Sequence, residues 1–134
     1  FSLFLSVSLS LPIPLSFSLA PPPIAGKTTF GDGNVYEGEY RAGQMDGRGR
    51  YTWARGSVYD GEWRANKRTG RGTYTWPDGD VYEGGWRESR QEGHGIFRYA
   101  DGGVHEGEYR DGSQNGRGVF RYADGNEYDG EWRD

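Results

Sequence analysis

The chain has 134 residues, enough for one domain or one repeat array, and its net charge is −4. That mild acidity excludes nucleic-acid binding driven by bulk positive charge. The absence of cysteine excludes a disulfide scaffold and a thiolate zinc site. Glycine is abundant (24 residues) and every leucine falls between Leu3 and Leu19, so beyond that point the buried material has to be mostly Tyr, Trp and Phe.

Residues 1–23 read FSLFLSVSLSLPIPLSFSLAPPP and carry no charge. The run ending Ser18-Leu19-Ala20 resembles a secretory h-region with a small-residue cleavage site. It lacks an initiator Met and a basic start, and Pro12 and Pro14 break any spanning helix. All of it except Val7, Ile13 and Ala20 can be encoded by pyrimidines alone. The segment therefore reads as a disordered low-complexity leader or a translated artefact, with a truncated signal or membrane anchor as the alternative.

Residues 24–134 form a repeat array. Tyr36, Tyr59, Tyr82, His105 and Tyr128 stand 23 residues apart, without insertions. The half unit is 24–35, the full units are 36–58, 59–81, 82–104 and 105–127, and a partial unit covers 128–134. Each unit holds two period-2 segments. One is Tyr-x-Gly-x-Tyr/Trp, as in Tyr59, Gly61 and Trp63. The other is Gly-x-Gly-x-aromatic-x-aromatic, as in Gly70, Gly72, Tyr74 and Trp76. Even spacing puts the named residues on one strand face, and the odd positions, such as Glu37, Glu39 and Arg41, carry charge. Asp78-Gly79, Asp101-Gly102 and Asp124-Gly125 are expected to close type I′ turns, with a longer polar connection at 42–46. The predicted fold is all-β: one hairpin per unit, building a single elongated, twisted antiparallel sheet.

Such a sheet has no second layer to cover its apolar face. Glycine lacks a Cβ, so a ring from the neighbouring strand can lie flat over it. Gly38, Gly47 and Gly49 are read as docking places for such rings.

The aromatic stripe is the candidate interaction face: Tyr36, Tyr40, Tyr51, Trp53, Tyr59, Trp63, Tyr74, Trp76, Tyr82, Trp86, Phe97, Tyr99, Tyr109, Phe120 and Tyr122. Lys67, Arg68, Arg87 and Arg90 fall in or beside the longer loops and are candidate contacts for anionic lipid headgroups. The recurring acids, Glu37, Glu39, Glu62, Glu106, Glu108, Glu131, Asp60 and Asp129, read as a solvated face with cross-strand Glu–Arg pairs rather than catalytic carboxylates. His94 and His105 are too few for a metal site, and turn formation explains Asp78, Asp80 and Glu83, at plausible calcium-ligand spacing, better than calcium does. No helix signal follows the Gly-Arg-Gly segments, which rules out a phosphate loop. No catalytic, cofactor-binding or metal site is predicted, and neither a small-molecule substrate nor a nucleic acid is expected.

Five tandem Tyr/His-Glu/Asp-Gly starts, each full unit continuing to Gly-x-Gly and most closing with Asp-Gly, resemble the MORN repeat (membrane occupation and recognition nexus) over residues 26–134. Gly85, His105, Asn66, Ser89 and Arg55 depart from that pattern. A choline-binding type of aromatic repeat shares the periodic Gly and Trp but not the Glu-Gly-Glu spacing. The resemblance implies a non-catalytic scaffold for protein–protein assembly that self-associates through the array. It implies a cytoplasmic location, at a membrane or in cytoskeletal and ciliary structures. Its other implications are peripheral binding of anionic phospholipid, or an accessory role in a larger enzyme such as a phosphatidylinositol-phosphate kinase. The chain stops after the first strand of a hairpin and reads as a fragment.

Overall fold

The computed structural model describes residues 22–133, and the readings made for residues 1–21 lie outside them. The described residues form ten strands and no helix: β1 (Ile24–Thr29), β2 (Val35–Arg41), β3 (Gln44–Thr52), β4 (Val58–Arg64), β5 (Lys67–Thr75), β6 (Val81–Arg87), β7 (Arg90–Arg98), β8 (Val104–Arg110), β9 (Ser113–Arg121) and β10 (Glu127–Trp132). Each strand pairs antiparallel with its sequence neighbours, so the sheet is one open meander. The expected all-β array of 23-residue hairpin units is present.

The two kinds of connection are interchanged relative to the sequence reading. The two-residue turns are Ala42-Gly43, Ala65-Asn66, Glu88-Ser89 and Asp111-Gly112, with φ between 49° and 90° at every position. Positive φ at both central residues is the type I′ geometry. Asp-Gly instead ends three-residue loops. Gly79 N–H donates to the Trp76 carbonyl at 3.0 Å and Trp76 N–H to the Asp80 carbonyl at 2.8 Å. Gly79 is left-handed at φ 100°, which makes this a type I turn closed by a left-handed glycine. Asp78 Oδ1 accepts the Asp80 N–H at 3.0 Å, the Asx arrangement that favours Asp there. The misplacement has a physical source. A non-glycine residue in the left-handed region costs about 1–2 kcal/mol, so Ala-Asn and Glu-Ser do not advertise the turn they make.

The three glycines of a unit do separate jobs. A row of glycines runs across all ten strands, one per strand from Gly26 to Gly130, each paired with the next. Tyr36 lies over Gly49, Tyr59 over Gly72 and Tyr82 over Gly95, and a Cβ at any of these glycines would fall against the ring. At Gly38 and Gly61 the nearest obstacle is the Cα of the partner glycine, so these admit a close approach of two backbones. Gly47 receives no ring. It sits at φ 100° beside the register break between β2 and β3, a β-bulge. Glu39 Oε1 accepts the Arg48 N–H there at 2.7 Å, and Glu62 does the same for Arg71 at 3.3 Å. The second acid of the Tyr-x-Gly-Glu segment is therefore a bulge partner in these units.

Burial follows from this arrangement. Tyr36, Tyr59 and Tyr82 are 0% exposed although the sheet has one layer. A ring that buries roughly 150 Å² gains about 4 kcal/mol, against the ~1 kcal/mol that a strand glycine costs. Pairs such as Arg50 with Asp60 and Arg48 with Glu62 stand side by side on the opposite, charged face. Arg48 Nη1 lies 3.9 Å from Glu62 Oε2 and both are well exposed, so such a pair contributes at most ~1 kcal/mol.

Candidate functional site

The aromatic face is a furrow built from the repeat. In the first three full units the Tyr hydroxyl donates to the carbonyl three residues on: Glu39 at 2.8 Å, Glu62 at 3.0 Å, Gly85 at 3.0 Å. The Trp points the other way. Trp63 Nε1 donates to the Gly49 carbonyl and Trp86 Nε1 to the Gly72 carbonyl, both at 3.1 Å. Tyr59 meets Trp63 and Trp86 edge-on at 5.2 Å, so rings of successive units interlock. Burial pushes the Tyr36 and Tyr82 hydroxyls up to about 12, leaving them neutral donors.

The predicted interaction face divides by exposure. Tyr36, Tyr59, Trp63, Tyr74, Tyr82, Trp86 and Tyr109 are buried. Tyr40, Tyr51, Trp53, Trp76, Phe97, Tyr99 and Phe120 are half-buried and form the furrow's accessible wall, with Tyr122 at 51% exposure. Open hollows lie along it: about 450 Å³ among Phe30, Tyr40, Met45 and Tyr51, about 230 Å³ among Arg68, Tyr74, Trp76 and Trp86, and about 380 Å³ among Phe97, Tyr99, Tyr109 and Trp132.

Met45, Arg68, Gln91 and Gln114 stand opposite Tyr40, Trp63, Trp86 and Tyr109 and so share this face. By strand alternation Arg68 is the one charged strand residue on it among the described residues. Its Cζ lies 4.9 Å from Trp86, 5.3 Å from Tyr74, 5.7 Å from Trp53 and 5.9 Å from Tyr59, a cation–π arrangement. Its Nη2 donates to the Ser89 carbonyl at 3.0 Å. Desolvation by these rings pulls the guanidinium below its usual value, and the Tyr74 and Tyr59 hydroxyls oppose that.

The four basic residues singled out from sequence do not form one patch. Arg68 is within the furrow. Lys67 is on the opposite face, 3.0 Å from Glu88 Oε1. Arg87 and Arg90 are exposed and face each other across β6 and β7, with Arg90 also bordering the central hollow.

Several useful residues carry no recognisable motif. Asn66 and Ser89 occupy left-handed turn positions and stitch neighbouring units. Met45 N–H donates to Asn66 Oδ1 at 2.8 Å and Arg68 N–H to Ser89 Oγ at 3.1 Å. Arg55 donates from Nη2 to the Tyr74 hydroxyl at 3.1 Å. Their one signal was departure from the repeat. His105 replaces the leading Tyr and is buried. Its Nδ1 lies 3.0 Å from the Tyr109 hydroxyl, and its Nε2 is buried without a hydrogen-bond partner. His94 lies instead on the charged face, 3.4 Å from Glu106. Asp80 Oδ1 accepts the Ala100 N–H at 2.7 Å, a turn-to-turn tie. Among the described residues no three His, Asp or Glu side chains are grouped to hold a metal ion.

A one-layer sheet of tandem hairpins with one aromatic and one charged face belongs to the class of repeat-built all-β arrays. The family model of the MORN repeat matches residues 36–58, 59–81, 82–104 and 105–127, and the chain belongs to the MORN repeat family. No curated protein matches it.

Proposed function

We propose that this chain is a non-catalytic scaffold whose aromatic furrow binds a protein segment and thereby assembles larger structures at membranes or the cytoskeleton. One observation carries the reading. Among the described residues the sheet is a single layer with none over its aromatic face, and half-buried Trp76 and Tyr99 stand beside open hollows. Side-chain-sized hollows between fixed rings suit a peptide or helix, and rigid rings lose little entropy on binding. Self-association through the same face is one form of this reading.

The test is site-specific photocrosslinking in cells. A benzophenone amino acid replaces Trp76 on the furrow or Thr73 on the charged face. Protein adducts at position 76 with few at position 73 support the reading. Equal adducts at both, or lipid adducts alone, contradict it. Flotation with phosphatidic acid or phosphoinositide vesicles at physiological salt is the parallel measurement for peripheral lipid binding, and light scattering at high concentration the one for self-association.

A further inference from the structure

Two departures from the repeat meet at one ring. The turn position held by Asp32, Asp78, Asp101 and Asp124 elsewhere is Arg55, and the furrow position held by Met45, Gln91 and Gln114 elsewhere is Arg68. Arg55 Nη2 donates to the Tyr74 hydroxyl at 3.1 Å, and Arg68 Cζ stands 5.3 Å from the centre of the same ring. The hollow of about 230 Å³ beside them is walled by Tyr74, Trp76 and Trp86, bordered by Arg68 and Arg90, and has no Asp or Glu in its lining. Among the described residues none of these three arginines is in an ion pair. The chain as a whole is acidic, at −4, so this is a local reversal of sign.

We propose that this hollow anchors an acidic segment of a protein partner, whose Asp or Glu carboxylate pairs with Arg68 while its apolar neighbours rest on Trp76. The proposal rests on the furrow being a protein-docking surface and specifies the chemistry of what docks. Covering the furrow takes Arg68 out of water. A guanidinium has five N–H donors; Arg68 places one Nη on the Ser89 carbonyl and is also hydrogen-bonded to the Tyr74 hydroxyl. Burying the remaining donors unpaired is costly, so an apolar or basic segment is rejected there. A carboxylate matches the guanidinium fork with charge-assisted hydrogen bonds. The rings and Ser89 already fix Arg68, so little ordering is left for the partner to impose. A phosphate headgroup has similar charge. However, the site is a ring-walled hollow in a face with a single charged strand residue, on a protein whose net charge opposes an anionic bilayer.

The experiment selects a random 12-residue peptide display library on the full chain and on the double variant Arg55→Asp, Arg68→Gln. Both substitutions install residues that other units carry at these positions, so the fold is preserved, and circular dichroism and melting verify it. Phosphatidylserine vesicles form a separate arm. The expected result is Asp/Glu enrichment on the wild-type chain that is lost on the variant. Changing the acidic residue of a selected peptide to its amide should weaken wild-type binding roughly tenfold and leave variant binding almost unchanged. Selected peptides without acidic enrichment would overturn the acidic-anchor proposal and leave the docking surface standing. If no peptide is selected on either protein, both the anchor and the docking reading fail. Vesicle binding that depends on Arg55 and Arg68, without acidic peptides, would assign the arginines to lipid and overturn the proposal.

Discussion

Residues at one repeat position differ in consequence because their neighbours differ. Gly72 is needed by Tyr59: a Cβ there would meet the Tyr59 hydroxyl and ring carbons. Gly72→Ala is expected to cost about 2–3 kcal/mol, whereas Arg71→Glu on the exposed face should shift stability by ~0.5 kcal/mol or less. Removing the ring should remove the conflict. In the Tyr59→Ala background Gly72→Ala should cost roughly 0.5 kcal/mol or less, a coupling of about 2 kcal/mol in a urea-denaturation double-mutant cycle. Costs that simply add would mean that the glycine serves something other than the ring.

His105 gives the opposite case, a position where the chain departs from its own best residue. Tyr36, Tyr59 and Tyr82 reach a carbonyl with their hydroxyls, whereas His105 leaves Nε2 buried and unpartnered. Burial lowers the His105 pKa below its ordinary 6.5. The unfolded chain therefore takes up the proton first. Stability from this site is full above pH 6.5 and falls as pH drops through that value towards the folded pKa. His105→Tyr should add about 1 kcal/mol at neutral pH and flatten the acid limb of a melting-temperature profile between about pH 7.5 and 5. A variant with unchanged acid sensitivity would locate the titrating group elsewhere.

At the scale of elements, strand identity and the ring-bearing face were legible in the sequence, because period-2 alternation and the 23-residue spacing report directly which side chains share a face. The connections were not. Asp-Gly satisfies two turn geometries equally well, and what separates them here is loop length, set by the pairing register of strands far apart in sequence. The bulge was hidden for a related reason: Gly47 and Gly49 look alike in the sequence, yet one has φ 100° and the other receives Tyr36. The furrow's composition was readable, but Arg68 was assigned to a loop rim since nothing local says that a guanidinium will lie on four rings. The turn assignment makes a prediction of its own. Ala65 sits at φ 49°, so Ala65→Gly should relieve left-handed strain and stabilise by about 0.5–1 kcal/mol. Ala65→Val should destabilise by at least as much. A loss with glycine, measured by urea denaturation, would contradict the type I′ assignment.

The whole molecule is quasi-one-dimensional. Every strand pairs only with its neighbours in sequence, the glycine row continues unbroken, and each Tyr is completed by the strand that follows it. Stability is therefore a sum over units and their contacts, and the furrow is as long as the array. Length and partner specificity can vary independently: repeats extend the surface, while departures from the repeat such as Arg55 and Arg68 mark places along it. The most direct test of this account is equilibrium urea unfolding of a variant lacking residues 59–81, one full unit. The deletion joins Val58 to Tyr82 and lets Gly84 take the place of Gly61 opposite Gly49. The account predicts a folded chain with the same strand signature by circular dichroism, lower stability, and an m-value reduced by roughly a fifth, in proportion to the surface removed. An unfolded variant, or one that unfolds with an unchanged m-value, would contradict it.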